Sequence, residues 1–125
     1  MSEYILLVDD DEDSRDIFGM SLEMAGYTVK HAANGLEALS VLERDLPILI
    51  ITDIMMPEMN GFALLTELRK RPKVKDIPVI VISATGDSSV LQQQLMGVRL
   101  IYKKGSFSSQ KFIEAVKEVL GHAAK

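Results

Sequence analysis

Five short apolar segments, alternating with stretches of helical spacing, constrain the fold of this chain more than any other feature. The apolar segments are Tyr4–Val8 (β1), Thr28–Ala32 (β2), Ile48–Thr52 (β3), Pro78–Ser83 (β4) and Leu100–Lys103 (β5). The first, third and fourth are nearly continuous runs of Ile, Leu and Val. Such runs are typical of strands that are covered on both faces in a parallel sheet.

Helices are predicted after each of these strands. The first, α1, is indicated by one face that carries Ile17, Phe18, Ser21, Leu22 and Ala25. Gly26 is well placed to end that helix. The other predicted helices are Gly35–Arg44 (α2), Gly61–Arg71 (α3), Ser88–Met96 (α4) and Ser108–Leu120 (α5). Five successive β-α units call for a parallel sheet with helices on both faces, so we expect residues 1–125 to form one α/β domain.

The amino-acid composition and net charge limit which partners the chain can bind and which cell compartment it suits. Apolar residues make up 47% of the 125 residues, which is enough for a core without covalent cross-links. The absence of cysteine excludes disulfides and thiolate metal sites. A net charge of −4 argues against nucleic acid as a direct partner. No secretion signal or bilayer-spanning run is recognisable, so we expect a cytoplasmic domain without membrane contact.

Polar residues cluster where the predicted strands end. Asp9-Asp10-Asp11 follows β1, Asp53 follows β3, Ser83 ends β4, and β5 runs into Lys103-Lys104. The carboxyl ends of parallel strands share one edge, and the functional crevice of such sheets lies there. Carboxylate oxygens are suitable ligands for Mg²⁺, and a carboxylate can accept a phosphoryl group. A hydroxyl can donate a hydrogen bond to an oxygen of that group, and an amine can neutralise its charge. Strand alternation allows only one of the two lysines to face the crevice.

The segment Asp53-Ile54-Met55-Met56-Pro57-Glu58-Met59-Asn60-Gly61 resembles the phosphorylation loop of response-regulator receiver domains. In that family an acidic pair follows the first strand and the phosphorylated aspartate ends the third. A Ser or Thr ends the fourth strand, and a Lys ends the fifth. All four elements occur here in that order, and the resemblance, to chemotaxis-type single receivers in particular, covers essentially the whole chain. It implies a flavodoxin-like, doubly wound (βα)5 three-layer sandwich with strand order 2-1-3-4-5.

The resemblance also implies roles for four residues around a magnesium ion. Asp53 would be the phosphoryl acceptor and a metal ligand. Asp10 would bind Mg²⁺ directly, whereas Asp9 would act through metal-bound water. Met55 would contribute its backbone carbonyl, and its apolar side chain is poorly suited to positioning an attacking water. We therefore expect slow self-dephosphorylation.

Ser83 and Lys104 complete the site that the resemblance implies. Ser83 would hydrogen-bond the phosphoryl group and Lys104 would pair with its charge; the eight residues from Gly97 to Lys104 match the family spacing. The chain departs from the family at Gly105, where Pro is usual, and at Ile101, where an aromatic residue is common. A cis bond without Pro costs about 2.5–4 kcal/mol, so a trans bond is expected there. The usual aromatic-rotamer switch is missing.

A phospho-signalling function follows from the resemblance. A sensor histidine kinase or a histidine phosphotransfer protein would donate the phosphoryl group in a two-component phosphorelay. The domain would then change its α4-β5-α5 surface and bind a downstream protein, as a monomer or a weak homodimer. It would not be an enzyme, apart from assisting its own phosphorylation and dephosphorylation.

A phosphatase of the haloacid-dehalogenase class is the alternative from a different functional class. Its Asp-x-Asp-x-Thr motif would use Asp9 as the nucleophile and Asp11 as the second acid. Asp13, however, stands where that motif has Thr or Val, and the chain is short for that fold. The two hypotheses differ in which aspartate becomes phosphorylated: Asp53 in a receiver and Asp9 in the phosphatase.

Overall fold

All five predicted strands are present in one parallel sheet. The computed structural model describes residues 3–53, 61–83, 100–103 and 108–121. The strands are Tyr4–Val8 (β1), Thr28–Ala32 (β2), Leu49–Asp53 (β3), Val79–Ser83 (β4) and Leu100–Lys103 (β5). Each neighbouring pair is parallel, and the order is β2-β1-β3-β4-β5. The predicted strand order is confirmed.

Helices follow β1, β2, β3 and β5 as the sequence predicted. Those within the described residues are Glu12–Met24 (α1), Gly35–Arg44 (α2), Gly61–Arg69 (α3) and Ser109–Leu120 (α5). The predicted α4 lies outside the described residues. Two of the helices begin with a side-chain cap. The Asn34 side chain accepts a hydrogen bond from the Glu37 amide at the start of α2, and the Ser108 side chain accepts one from the Lys111 amide at the start of α5. No helix in the described ranges has both the length and the apolar character needed to cross a membrane.

The sheet is covered on both faces, and successive residues of β1 divide between two cores. Tyr4, Leu6 and Val8 belong to one apolar cluster, which includes side chains of α2 and α3. Ile5 and Leu7 belong to the other, which includes side chains of α1 and α5. Every residue of β1 is buried. This two-sided burial is the physical reason for the continuous apolar runs in the sequence.

Helix α1 is buried along a narrower stripe than its sequence suggested. Phe18 and Leu22 are buried, and the Phe18 ring packs edge-on against Phe112 of α5 with 4.8 Å between ring centroids. The prediction was wrong for Ile17 and Ala25, which are exposed, the former by 51%. Neighbouring helix positions are about 100° apart, so a stripe centred on Phe18 and Leu22 leaves Ile17 at its margin.

A polar contact at the amino-terminal edge of the sheet joins three elements. The Tyr4 hydroxyl donates to the Asp45 carbonyl oxygen at 2.7 Å. The Lys30 ammonium lies 4.4 Å from the centre of the Tyr4 ring and 3.8 Å from an Asp45 carboxylate oxygen. Burial raises the pKa of Tyr4 to about 12, and the Asp45 charge adds to the shift. This end of the sheet is thus stabilised by a neutral tyrosine.

Candidate functional site

Strand register places Asp9 and Asp53 side by side at the carboxyl edge of the sheet. Val8 of β1 pairs with Thr52 of β3, so Asp9, one residue past β1, and Asp53, the last residue of β3, follow a matched pair. Hydrogen bonding continues past the end of β1, because the Asp9 amide donates to the Ala32 carbonyl at 3.0 Å. Asp9 is fully buried and Asp53 is 4% exposed. Two carboxylates therefore stand together where the sheet meets the β-α connections.

Asp10 completes a cluster of three carboxylates. One carboxylate oxygen from each of Asp9, Asp10 and Asp53 lies within 4.8 Å of the other two. Asp10 is exposed, so the cluster is open to solvent on its side. Oxygen-only ligands with one open side fit a hard dication such as Mg²⁺, which keeps several waters in its shell. Three of the residues that the sequence singled out are brought together as predicted.

The side chain of Asp9 accepts a hydrogen bond from Asp11, just before α1, and its backbone carbonyl accepts one from Arg15 of α1. The Asp11 amide donates to Asp9 Oδ1 at 3.0 Å. The Arg15 guanidinium donates through Nη1 to the Asp9 carbonyl oxygen at 2.6 Å. Sequence reasoning missed Arg15. The one available signal was a cation near the amino terminus of a helix, where the helix dipole disfavours positive charge.

Asp53 is held from its own strand and from β4. The Thr52 hydroxyl donates to the Asp53 carbonyl oxygen at 2.9 Å, and both residues are buried. Asp53 pairs with Ile82, so Ser83 is one position further along the neighbouring strand. Ser83 pairs in turn with Lys103 of β5. The backbones of the predicted acceptor and the predicted hydroxyl residue thus reach the same edge.

The remaining predicted site residues lie outside what is described. Met55 and Lys104 are not among the described residues, nor is Gly105, and of Ser83 only the backbone is described. The metal-ligand role of the Met55 carbonyl and the phosphoryl contacts of Ser83 and Lys104 stay predictions.

The sequence of the chain matches a known protein family. The sequence model of the response regulator receiver domain matches residues 5–117. Over 98% of its length the chain is 35% identical to the probable transcriptional regulator ycf27 of Porphyridium aerugineum, and the match covers 50% of that protein. The chain therefore spans about half the length of this curated relative.

Solved structures give the same result for the fold. A putative response regulator from Chloroflexus aurantiacus superposes with a TM-score of 0.86 and 31% identity, covering 96% of this chain and 99% of that one. The receiver domain of a signal transduction histidine kinase from Syntrophus aciditrophicus superposes with a TM-score of 0.85 and 32% identity, covering 96% and 91%. These comparisons lend no support to the haloacid-dehalogenase alternative.

Proposed function

This chain belongs to the response regulator receiver domain family, and on that premise we propose that it is a phosphoryl-accepting switch with Asp53 as the acceptor. The observation that carries the proposal is the clustering of the Asp9, Asp10 and Asp53 carboxylates at the carboxyl edge of the sheet. Asp53 is the member of the cluster that lies within the central strand β3, between β1 and β4. A covalent change there adjoins two other strands.

The proposed reaction is transfer of a phosphoryl group from a phosphohistidine of a sensor histidine kinase or a histidine phosphotransfer protein. A carboxylate oxygen of Asp53 forms the new bond to phosphorus, and the phosphorus–nitrogen bond breaks. The electron pair of that bond leaves with the imidazole, which takes up a proton. Asp10 would hold Mg²⁺ directly, Asp9 through water, and the Met55 carbonyl would be a further ligand. When bound, Mg²⁺ supplies the positive charge that offsets the charge of the transferred group.

Burial of the acceptor explains why the product would act as a switch. Asp53 is 4% exposed, so added phosphoryl oxygens need new partners at the strand ends. Ser83 and Lys104 are the proposed partners, a hydroxyl for one oxygen and an ammonium for the charge. Their engagement would favour an active arrangement of the α4-β5-α5 surface, which would bind the downstream protein. Coupling between two such sites is typically about 1–3 kcal/mol.

The downstream output depends on what accompanies this domain. The curated relative from Porphyridium aerugineum, named as a probable transcriptional regulator, is about twice as long as the part that it shares with this chain. Control of transcription is therefore one output that we propose for a longer protein carrying this domain. The domain's own part would be to accept the phosphoryl group and to present a changed surface, with no turnover of a separate substrate.

Intact-mass spectrometry after incubation with acetyl phosphate tests the acceptor. The parent should gain one phosphoryl group in Mg²⁺ and none in EDTA, and hydroxylamine should remove it because it is an acyl phosphate. Asp53→Asn should gain none, whereas Asp11→Asn, a neighbouring exposed acid outside the cluster, should behave like the parent. An adduct that persists in Asp53→Asn and disappears in Asp9→Asn would overturn the proposal in favour of the phosphatase.

A further inference from the structure

We propose that Arg15 is a positioning residue for the metal site, acting through the main-chain carbonyl of Asp9. The inference rests on the proposed metal site and goes beyond it, because Arg15 is not one of the ligands. Its Nη1 lies 2.6 Å from the Asp9 carbonyl oxygen, and the arginine is half-buried in the first turns of α1. A hydrogen bond from a charged donor at this distance is of the stronger kind.

The carbonyl that Arg15 binds belongs to the peptide group between Asp9 and Asp10. That peptide group is planar, so fixing its oxygen also fixes the direction in which the chain leaves toward the Asp10 α-carbon. Asp10 is exposed and follows the last residue of the sheet pairing, so the backbone beneath it determines where its carboxylate lies. Arg15 thus acts on the position of the proposed direct ligand.

Three of the hydrogen bonds that hold Asp9 come from three different residues. The Ala32 carbonyl accepts from the Asp9 amide at 3.0 Å, and the Asp11 amide donates to Asp9 Oδ1 at the same distance. Arg15 provides the third contact. In the other two the partner residue contributes a backbone group, whereas Arg15 contributes its side chain. Losing the Arg15 bond would remove the one contact of the three that acts on the oxygen of the Asp9–Asp10 peptide.

Two simpler roles for Arg15 make different predictions about metal affinity. A purely structural contact would change the free energy of unfolding but not the affinity of the folded protein for Mg²⁺. A purely electrostatic role has the opposite sign from positioning, since removing a cation beside the cluster would strengthen Mg²⁺ binding. Positioning predicts weaker binding, because outer contacts that orient metal ligands typically contribute about 10–100-fold in affinity.

The test is a Mg²⁺ titration of the folded protein by calorimetry at 25 °C, with three variants. Arg15→Met keeps an extended side chain but has neither donor nor charge, and we expect its Mg²⁺ dissociation constant to rise about 10-fold or more. Arg15→Lys keeps a donor and the charge, and should recover most of the parent affinity. Arg44→Met, an exposed arginine at the far end of α2, removes the same charge and should bind as the parent does.

Unfolding by urea in EDTA, followed by circular dichroism, establishes that each variant is folded under the titration conditions. If Arg15→Met does not fold, Arg15→Gln replaces it, since the shorter amide loses both the charge and the reach. Equal or tighter Mg²⁺ binding by the non-donor variant would refute the positioning role. The amide nitrogen shift of Asp10, measured without metal, should move in Arg15→Met and stay near the parent value in Arg15→Lys.

Failure of this inference is separable from failure of the proposed function. A parent that binds Mg²⁺ but is not phosphorylated on Asp53 would sink the proposed function alone. A parent that is phosphorylated, with Mg²⁺ affinity unchanged in Arg15→Met, would sink the role of Arg15 alone. A parent that binds no Mg²⁺ would overturn both.

Discussion

Repulsion within the carboxylate cluster has a consequence for stability that can be measured without any phosphodonor. The three oxygens lie within 4.8 Å of one another. Two unit charges at that separation repel by ~3.5 kcal/mol at an effective dielectric constant near 20 and by ~0.9 kcal/mol in bulk water. Asp10 is exposed, so the lower figure applies to each of its two pairs. Asp10→Asn should therefore stabilise the metal-free protein by about 1–2 kcal/mol at low salt.

Magnesium should reverse part of this difference. At a free concentration ten times the dissociation constant, a ligand that binds only the folded state adds about 1.4 kcal/mol. The parent should gain that amount, whereas Asp10→Asn, which has lost the proposed direct ligand, should gain little. The stability advantage of the variant in EDTA should therefore shrink or disappear in Mg²⁺.

Urea unfolding in EDTA and in Mg²⁺, followed by circular dichroism, measures both effects. Asp11→Asn is the matched control, because it removes a neighbouring exposed charge that is not in the cluster. The control should keep the parent's Mg²⁺ response and show no comparable gain in EDTA. Equal or lower stability of Asp10→Asn in EDTA would refute the repulsion, and an undiminished Mg²⁺ response would remove Asp10 from the metal site.

Three further predictions concern pH, packing and phosphoryl lifetime. Because burial raises the pKa of Tyr4 to about 12 from 10.0, its contribution is complete below pH 10 and is lost as the pH rises through 12. The free energy of unfolding should fall by up to about 2–3 kcal/mol over this range. Tyr4→Phe should flatten the pH profile of urea unfolding, and a profile unchanged in that variant would contradict the prediction. In Gly19→Ala the new Cβ would lie 2.7 Å from His31 Cε1, which is too close. Ala is more stable than Gly in a helix by ~1 kcal/mol, and we expect Gly19→Ala to show this full gain only in combination with His31→Ala. A double-mutant cycle showing no coupling would exclude this contact. Finally, Met55→Asn should lose its phosphoryl group faster than the parent in a mass-spectrometric time course, because the amide can position an attacking water; an equal rate would count against this.

The strand pattern was enough to predict the sheet and the edge on which the site lies. Continuous apolar runs such as Leu49–Ile51 require cover on both faces, and consecutive β-α units permit few topologies. That Asp9 and Asp53 lie on the same edge of the sheet followed from strand polarity alone, because each stands at the carboxyl end of a parallel strand. That they are close together on neighbouring strands required the 2-1-3-4-5 order, which came from resemblance to a family and not from the spacing of residues.

The structure added what depends on contacts between distant segments. Ile17 and Phe18 are adjacent and both apolar, so the sequence placed them on the same face of α1. Only Phe18 is buried in the structure, and Ile17 lies beside the buried stripe. The bond from Arg15 to the Asp9 carbonyl depends on how α1 leaves the sheet, and the helical pattern does not encode that exit angle.

The sequence by itself determined the elements, their order along the chain and the acidic residues at the strand ends. Periodicity and residue type are local properties, and backbone sterics convert them into helices and strands with few alternatives. Only the tertiary structure decided which carboxylate oxygens come within 4.8 Å and which cation holds the Asp9 peptide. Those distances are set by packing of the two cores against both faces of the sheet, where displacements of an ångström separate a ligand set from a group of neighbouring charges.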